Sequence, residues 1–403
     1  MKRSTIALTS LMLVLASSSM ALATNGDNTL GLTALQWARG GAVVAAPVDI
    51  PSMMYNPAAA GEFKVDKGGF DMSLGLLNAV RSIDTKTKST ESDSDNYLAM
   101  GVGAVARASD KMFFGLAAGG VAGLGVDIPG GALSPAAPTA IVTTKSLFKI
   151  APTMAYVVND KLTLGVSPQI GYQTLAMRTP QFVLPQTGVF GLGGAVGAVY
   201  HITPTIQAGL SYTSKMYMQE YSFNGSAVGV VNGAPAQIEG KYTMEMDVPQ
   251  SVAGGVSFRP MPKLLLEADL KWIDFSDVMD RAELKGPTGN VIPILFGWKD
   301  QVVYSLGAEY EVLPGLTVRS GYNYGASPIG PEDVTSNYGS IAVIEHHLSL
   351  GITKQWSPAV STSASYTHGF TNKVTSNNAP AALAPVSIEA TQNIAYAQLS
   401  FRF

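Results

Sequence analysis

Apolar and polar residues alternate along much of this chain with a period of two. In AYAQLSFRF (395–403), Ala395, Ala397, Leu399, Phe401 and Phe403 lie on one side of an extended backbone, and Tyr396, Gln398, Ser400 and Arg402 lie on the other. Between Lys263 and Trp272, Leu264, Leu266, Ala268, Leu270 and Trp272 oppose Glu267, Asp269 and Lys271. Between Gln301 and Glu311, Val302, Tyr304, Leu306, Ala308 and Tyr310 oppose Ser305, Gly307, Glu309 and Glu311. Such segments predict strands with one greasy and one wet face. Short turns rich in Asn, Asp, Gly and Pro fall near 109–111, 159–161, 203–205, 259–262, 313–315 and 356–358. Longer connections separate them, near 81–96, 126–145, 177–188, 224–240, 276–298, 326–345 and 372–390. This rhythm predicts about fourteen antiparallel strands, with short turns on one side and long loops on the other.

Composition decides what the greasy face meets. Charged residues are 14% of the chain, against roughly 25% in ordinary globular proteins. Glycine is abundant at 42 residues, cysteine is absent and the net charge is -3, a balance that points away from nucleic acid. Lys2 and Arg3, the apolar run Ile6–Ala16 and the small residues Ala21 and Ala23 read as a cleaved export signal over residues 1–23. No later run is long and apolar enough for a membrane helix. An exported, apolar, Gly-rich chain whose hydrophobicity sits at alternate positions predicts a transmembrane antiparallel β-barrel in the outer membrane of a Gram-negative cell. A soluble sandwich also alternates, but Trp272, Trp298 and Trp356 near strand ends fit interfacial girdles better.

Two further features stand out. Several outer loops carry almost no charge: 126–142, 179–190, 291–298 and 379–388. Apolar loops facing water need cover, so they either pack as a lid or line a groove for a greasy solute. Gly115, Gly119, Gly120, Gly123 and Gly125 crowd one strand, and Pro168 and Pro249 fall inside others. In a closed barrel these predict bulges, kinks or gaps in the ladder.

The segment ARGGAVVAAPVDIPSMMYNPAAAGEF (38–63) resembles the N-terminal plug of the outer-membrane long-chain fatty acid transporter family (FadL, with its aromatic-hydrocarbon relatives), whose hallmark here is Asn56-Pro57-Ala58. Residues 246–278 and 296–329 resemble the same family through a Pro-containing stretch, a Trp-bearing strand and Lys-Asp, Gly-x-x-Tyr, Arg-x-Gly and Ser-Pro elements in order. The resemblance implies a monomeric barrel over 62–403 with a hatch over 24–61. It implies uptake of long-chain fatty acids or other hydrophobic small molecules, captured by outer loops, passed beside a rearranging hatch, and released sideways into the membrane through a gap at a strand kink. Uptake of neutral aromatic or aliphatic hydrocarbons is the alternative, with a general diffusion porin behind it. No catalytic constellation, metal site or cofactor is expected.

The resemblance also suggests residues. Met53, Met54, Tyr55, Asn56, Pro57 and Ala58 would form the hatch corner, since Pro57 fixes φ and Asn56 bonds locally to the backbone. Arg178 matches a head-group arginine of the family, with Lys299 as a substitute cation for a fatty acid carboxylate. Ile294, Leu295 and Phe296 would line the pocket; relatives that carry fatty acids have a basic residue in that region, which favours a less polar solute here. Phe403 resembles the terminal aromatic read by the barrel assembly machinery. Membrane lipid and lipopolysaccharide would surround the barrel.

Overall fold

The computed structural model describes residues 24–403 apart from Lys64, 134–138 and 232–233; the expected export signal lies outside the described residues. Fourteen strands form a closed antiparallel barrel. The first seven are β1 (Gly68–Asp84), β2 (Asn96–Arg107), β3 (Met112–Ile128), β4 (Ile141–Asn159), β5 (Leu162–Arg178), β6 (Phe182–Thr203) and β7 (Ile206–Thr213). The rest are β8 (Ser251–Met261), β9 (Leu264–Ile273), β10 (Gln301–Leu313), β11 (Leu316–Gly325), β12 (His346–Ser357), β13 (Val360–Thr375) and β14 (Ser387–Arg402). Closure comes from β1 and β14, paired from Gly69↔Arg402 to Asp84↔Ser387. Outward positions such as Leu74, Leu192, Leu210, Leu306 and Leu350 are exposed hydrophobics, as lipid contact demands. Among the described residues no helix is long and apolar enough to cross a membrane.

The short turns fall where the alternation places them, and the long loops mostly so. The connection expected over 177–188 is different. There β5 and β6 remain paired out to Arg178↔Val183, so the loop shrinks to residues 179–181. The largest loop, between β7 and β8, carries a hairpin of its own, Tyr221–Val231 with Ala234–Met244. Another hairpin, Arg281–Lys285 with Val291–Leu295, rises between β9 and β10. Trp356 is exposed, but Trp298 is buried rather than in a girdle. Its ring packs edge-on against Phe275, and its Nε1 donates to Asn337 Oδ1 at 2.8 Å. Pro249 precedes β8 instead of lying within a strand. Pro168 does interrupt the wall. It faces Pro152 of β4, and the β4–β5 ladder jumps from Ile150↔Ile170 to Met154↔Val166. Neither proline has an N–H to give, and Ser167 Oγ donates to Pro152 O at 2.8 Å instead.

Residues 24–63 fill the lumen. Helix α1 (Ala34–Ala38) is capped by Thr33, and its Trp37 stacks on Tyr396 of β14 with ring centroids 5.6 Å apart. Two 3-10 turns follow, Ile50–Met54 and Pro57–Gly61. The second starts at Asn56, whose Oδ1 accepts from Ala58 N at 3.1 Å. Asn56 Nδ2 donates to Val44 O at 2.8 Å and to Ala198 O of the wall at 3.2 Å. Pro57 at the first position of the turn needs no donor. Irregular backbone inside a barrel must find partners, and the inward carboxylates supply them. Asp269 accepts from Val43 N and Val44 N at 2.7 and 2.9 Å. Glu267 accepts from Ala45 N and Ala46 N at 2.8 and 2.9 Å and pairs with Arg39. Asp71 accepts from Ile50 N at 2.8 Å while gripping Arg402. Close approach is the remaining requirement: a Cβ on Gly165 would overlap the backbone of Pro57 and Ala58.

Gly165→Val therefore overpacks the contact between plug and wall, at a cost of about 1–3 kcal/mol, without touching the ladder. The variant is expected to keep its heat-modifiable migration on a gel and to be cleaved faster by protease within residues 24–63. Loss of heat-modifiable migration would mean that the plug is needed to build the wall.

Candidate solute-binding site

The glycine-crowded strand leaves the wall. β2 and β3 pair only from Gly101↔Gly119 to Arg107↔Phe113, so Asn96 to Met100 have no β3 partner. Beyond Gly120 the pairing of β3 with β4 slips by a bulge, and every residue from Gly119 to Val126 is buried. The plug replaces part of the lost ladder. Thr29 N donates to Val121 O at 3.0 Å, and Gly123 N donates to Asp27 O at 2.8 Å. A gap in the wall thus coincides with a plug segment hydrogen-bonded to the strand that made it.

Above this point the apolar loops come together. Ile128, Ala132, Ile141, Phe182, Leu184, Ile294, Phe296, Val386 and Ile388 belong to one buried cluster, so the loops cover one another. Among them opens a cavity of about 620 Å³, within the range of small-molecule sites. Leu124 of the inward segment, Leu133, Leu175, Met177, Phe182 and Met279 line it, with Ile292 to Phe296 along one side. Polar groups are few: Thr143, Lys145, Thr179, Gln181 and an edge at Thr335, Ser336, Tyr338 and Ser340. Burial pushes the Tyr338 phenol up to about 12, so it stays neutral in the cavity wall.

One charge reaches the cavity in a pair. Lys145 projects inward from β4, and its Nζ lies 2.8 Å from Asp27 Oδ2 of the plug, both side chains only 4% exposed. Asp27 Oδ1 and the neighbouring Thr143 Oγ1 are buried with no hydrogen-bond partner among the described residues. The cavity is therefore floored by Lys145, which is ion-paired to the plug behind it, and by a Thr143 hydroxyl free to meet a polar ligand atom.

The residues singled out in the sequence divide. Ile294, Leu295 and Phe296 all lie on the cavity wall. Arg178 does not join them: its neighbours Met177 and Thr179 line the cavity, while Arg178 is exposed at the end of β5. Lys299 is also outside, 2.5 Å from Glu332, whose hydrogen bond raises its pKa. Met53, Met54, Asn56, Pro57 and Ala58 are buried in the plug, with Tyr55 half-buried beside them. Phe403 is exposed on the outer face, its carbonyl accepting from Lys67 N and Gly68 N at 2.9 and 2.8 Å. Lys145, Thr143 and Asp27 were not singled out. The available signal was the presence of two lysines, Lys145 and Lys149, on the inward face of a strand that also carries Ile141 and Leu147 there.

Comparison with known proteins fits this geometry. No curated protein matches the chain by sequence. The solved structure of the Pseudomonas putida toluene transporter TodX superposes with a TM-score of 0.77 at 17% identity, covering 93% of this chain and 99% of that one. A Pseudomonas aeruginosa FadL homologue gives 0.77 at 15% identity, covering 94% and 100%. The Ralstonia pickettii toluene transporter TbuX gives 0.74 at 19% identity, covering 93% and 98%. These likenesses establish the fold. A family model described as outer membrane protein transport protein (OMPP1/FadL/TodX) matches residues 12–403. With the plugged fourteen-stranded barrel and its apolar cavity, that match places the chain in the OMPP1/FadL/TodX family of outer-membrane transporters of hydrophobic compounds.

Proposed function

We propose that this chain carries a hydrophobic small molecule, a long-chain fatty acid or a hydrocarbon, from the outer loops into the membrane in three steps. The solute is captured in the cavity above Lys145. Residues 24–61 act as a hatch that rearranges when it arrives. It then leaves sideways at the gap between β2 and β3. The observation that carries this reading is the Lys145–Asp27 pair, which joins the floor of the apolar cavity to the plug segment bonded to the inward strand. A solute seated on that floor acts on the hatch and on the edge of the gap at once. Lateral release suits the chemistry, because an apolar solute gains by entering lipid and loses by entering water. Arg178 stands outside this scheme, since its exposed position offers nothing to a solute in the cavity. Phe403 serves as an assembly signal, and the barrel works as a monomer among lipid and lipopolysaccharide.

TodX and TbuX are described as toluene transporters and CymD as a monoaromatic hydrocarbon channel. The mostly apolar lining here supports a neutral hydrocarbon as a second reading, because the cation on the floor is already neutralised by Asp27.

Two tests follow from the cavity. Leu175→Trp fills it from a buried inward position. Cells relying on this variant are expected to take up labelled hydrophobic solute at least ~10-fold more slowly, a change of about 1.4 kcal/mol, with folded barrel at normal levels. Arg178→Ala is expected to stay within about twofold, as exposed substitutions do. Normal uptake by folded Leu175→Trp would remove the cavity from the path.

The pair is tested separately. Lys145→Met leaves Asp27 a buried charge without a partner, a loss of about 3–5 kcal/mol. Hydrogen exchange at residues 27–29 should quicken, and adding Asp27→Asn should restore most of the protection. Exchange that does not change in Lys145→Met, or does not recover in the double variant, would separate the pair from the hatch.

A further inference from the structure

The gap between β2 and β3 has a sill and a roof. At its lower end the ladder resumes with Gly101↔Gly119. At its upper end the loop before β2 is tied to β3: Asp93 N donates to Asp127 O at 2.8 Å, and Asp127 N donates to Ser92 Oγ at 2.9 Å. Ser92 N in turn donates to Arg81 O of β1 at 2.8 Å. The opening is therefore a window closed at both ends, about 17 Å long over the unpaired stretch Asn96–Met100.

One large side chain of β2 stands at its inner edge. Asn96, Leu98 and Met100 turn outward, so only Tyr97 and Ala99 of the unpaired residues face the lumen. The facing segment of β3, 119–125, has four glycines; its Val121 is bonded to the plug and its Leu124 lines the capture cavity. Tyr97 reaches across to this segment. Its hydroxyl donates to Ser94 O at 2.8 Å and lies 3.4 Å from Gly125 O. The Arg81 guanidinium stands 5.7 Å from the ring centroid, a cation–π distance. Behind the ring lies a second apolar cluster, separate from the one around the capture cavity. It joins Leu30, Ala34 and Trp37 of the plug to Leu77, Tyr97 and Ile394 of the wall. Leu30 follows directly on the plug residues bonded to β3, so this apolar surface runs from the hatch to the inner edge of the window.

We propose that Tyr97 is the specificity-determining residue of lateral exit: its ring narrows the window, so that slim flexible chains pass and wide rigid ring systems do not. This rests on the uptake reading. A linear alkane needs the width of a single chain and can bend round the ring. A fused polycycle cannot bend. It has to displace the ring, and with it the bond to Ser94 and the contact with Arg81.

The test uses cells that rely on the full-length barrel, given labelled hexadecane or pyrene, with uptake counted above that of cells lacking the barrel. Wild type should take up hexadecane and little pyrene. Tyr97→Ala should raise the ratio of pyrene to hexadecane uptake at least ~10-fold, the scale on which small changes of pocket shape discriminate apolar solutes. Tyr97→Phe keeps the ring and should leave the ratio near the wild-type value. Where Tyr97→Ala loses heat-modifiable migration, Tyr97→Leu takes its place and should move the ratio in the same direction. The affinity of the detergent-purified variants for each solute should stay within about twofold of wild type, because the capture cavity lies elsewhere. An unchanged ratio in the folded Ala or Leu variant, an equal change in Tyr97→Phe, or an affinity that moves with the ratio would overturn the gate and leave the uptake reading standing. So would pyrene uptake by wild type as fast as that of hexadecane. Uptake of neither solute by wild type would overturn both.

Discussion

The structure depends on satisfying irregular backbone inside a barrel. A closed ladder takes care of the wall, but residues 24–63 have only short helical pieces and bring many unpaired N–H groups into the lumen. The wall answers with carboxylates at inward positions of neighbouring strands. Glu267 and Asp269, two residues apart on β9, receive four consecutive N–H groups from Val43 to Ala46. Asp71 on β1 receives Ile50 N, and Asp49 within the plug receives Gln36 Nε2 and Ser52 Oγ at 2.8 and 2.9 Å. These contacts are charge-assisted and directional, so they fix the plug in one pose. They are also contacts that water or a ligand can replace, unlike a continuous apolar core. A plug held this way can be firm without being permanent.

The same rule explains the departure of β3. When a strand turns inward, its edge groups and those of β2 lose partners. Residues 27–29 restore some of them, through Val121 O and Gly123 N. Wall gap, plug and cavity floor then become one mechanical unit, because Asp27 belongs to the plug, borders the inward strand and holds Lys145. The buried ion pair is a joint whose value lies in how much breaking it would disturb.

Much of the wall was legible because period two is a local signal. The C-terminal alternation, the six short turns and the inward acids of β9 and β10 need only neighbouring residues to be read. The loop at 177–188 misled because Pro180 and Pro185 look like loop punctuation, yet the strands stay paired around them. Trp298 misled because a tryptophan near a strand end reads the same whether it faces lipid or folds under a loop. Parity would have helped with Arg178: Gln173, Leu175 and Met177 point inward, so the next residue points out. The Lys145–Asp27 pair was beyond local reading, since its members are 118 residues apart and one lies in irregular chain. Ile294, Leu295 and Phe296 were legible as an uncharged stretch of loop, but the cavity they line is made by several separate segments.

The central claim is that the space between Leu175, Ile294 and Phe296 holds the solute. A crystal of the full-length protein soaked with a brominated alkane, measured at the bromine absorption edge, tests it directly. The account predicts an anomalous peak inside this cavity, above Lys145. Bromine found only along the lipid-facing wall, with the cavity empty, would contradict it.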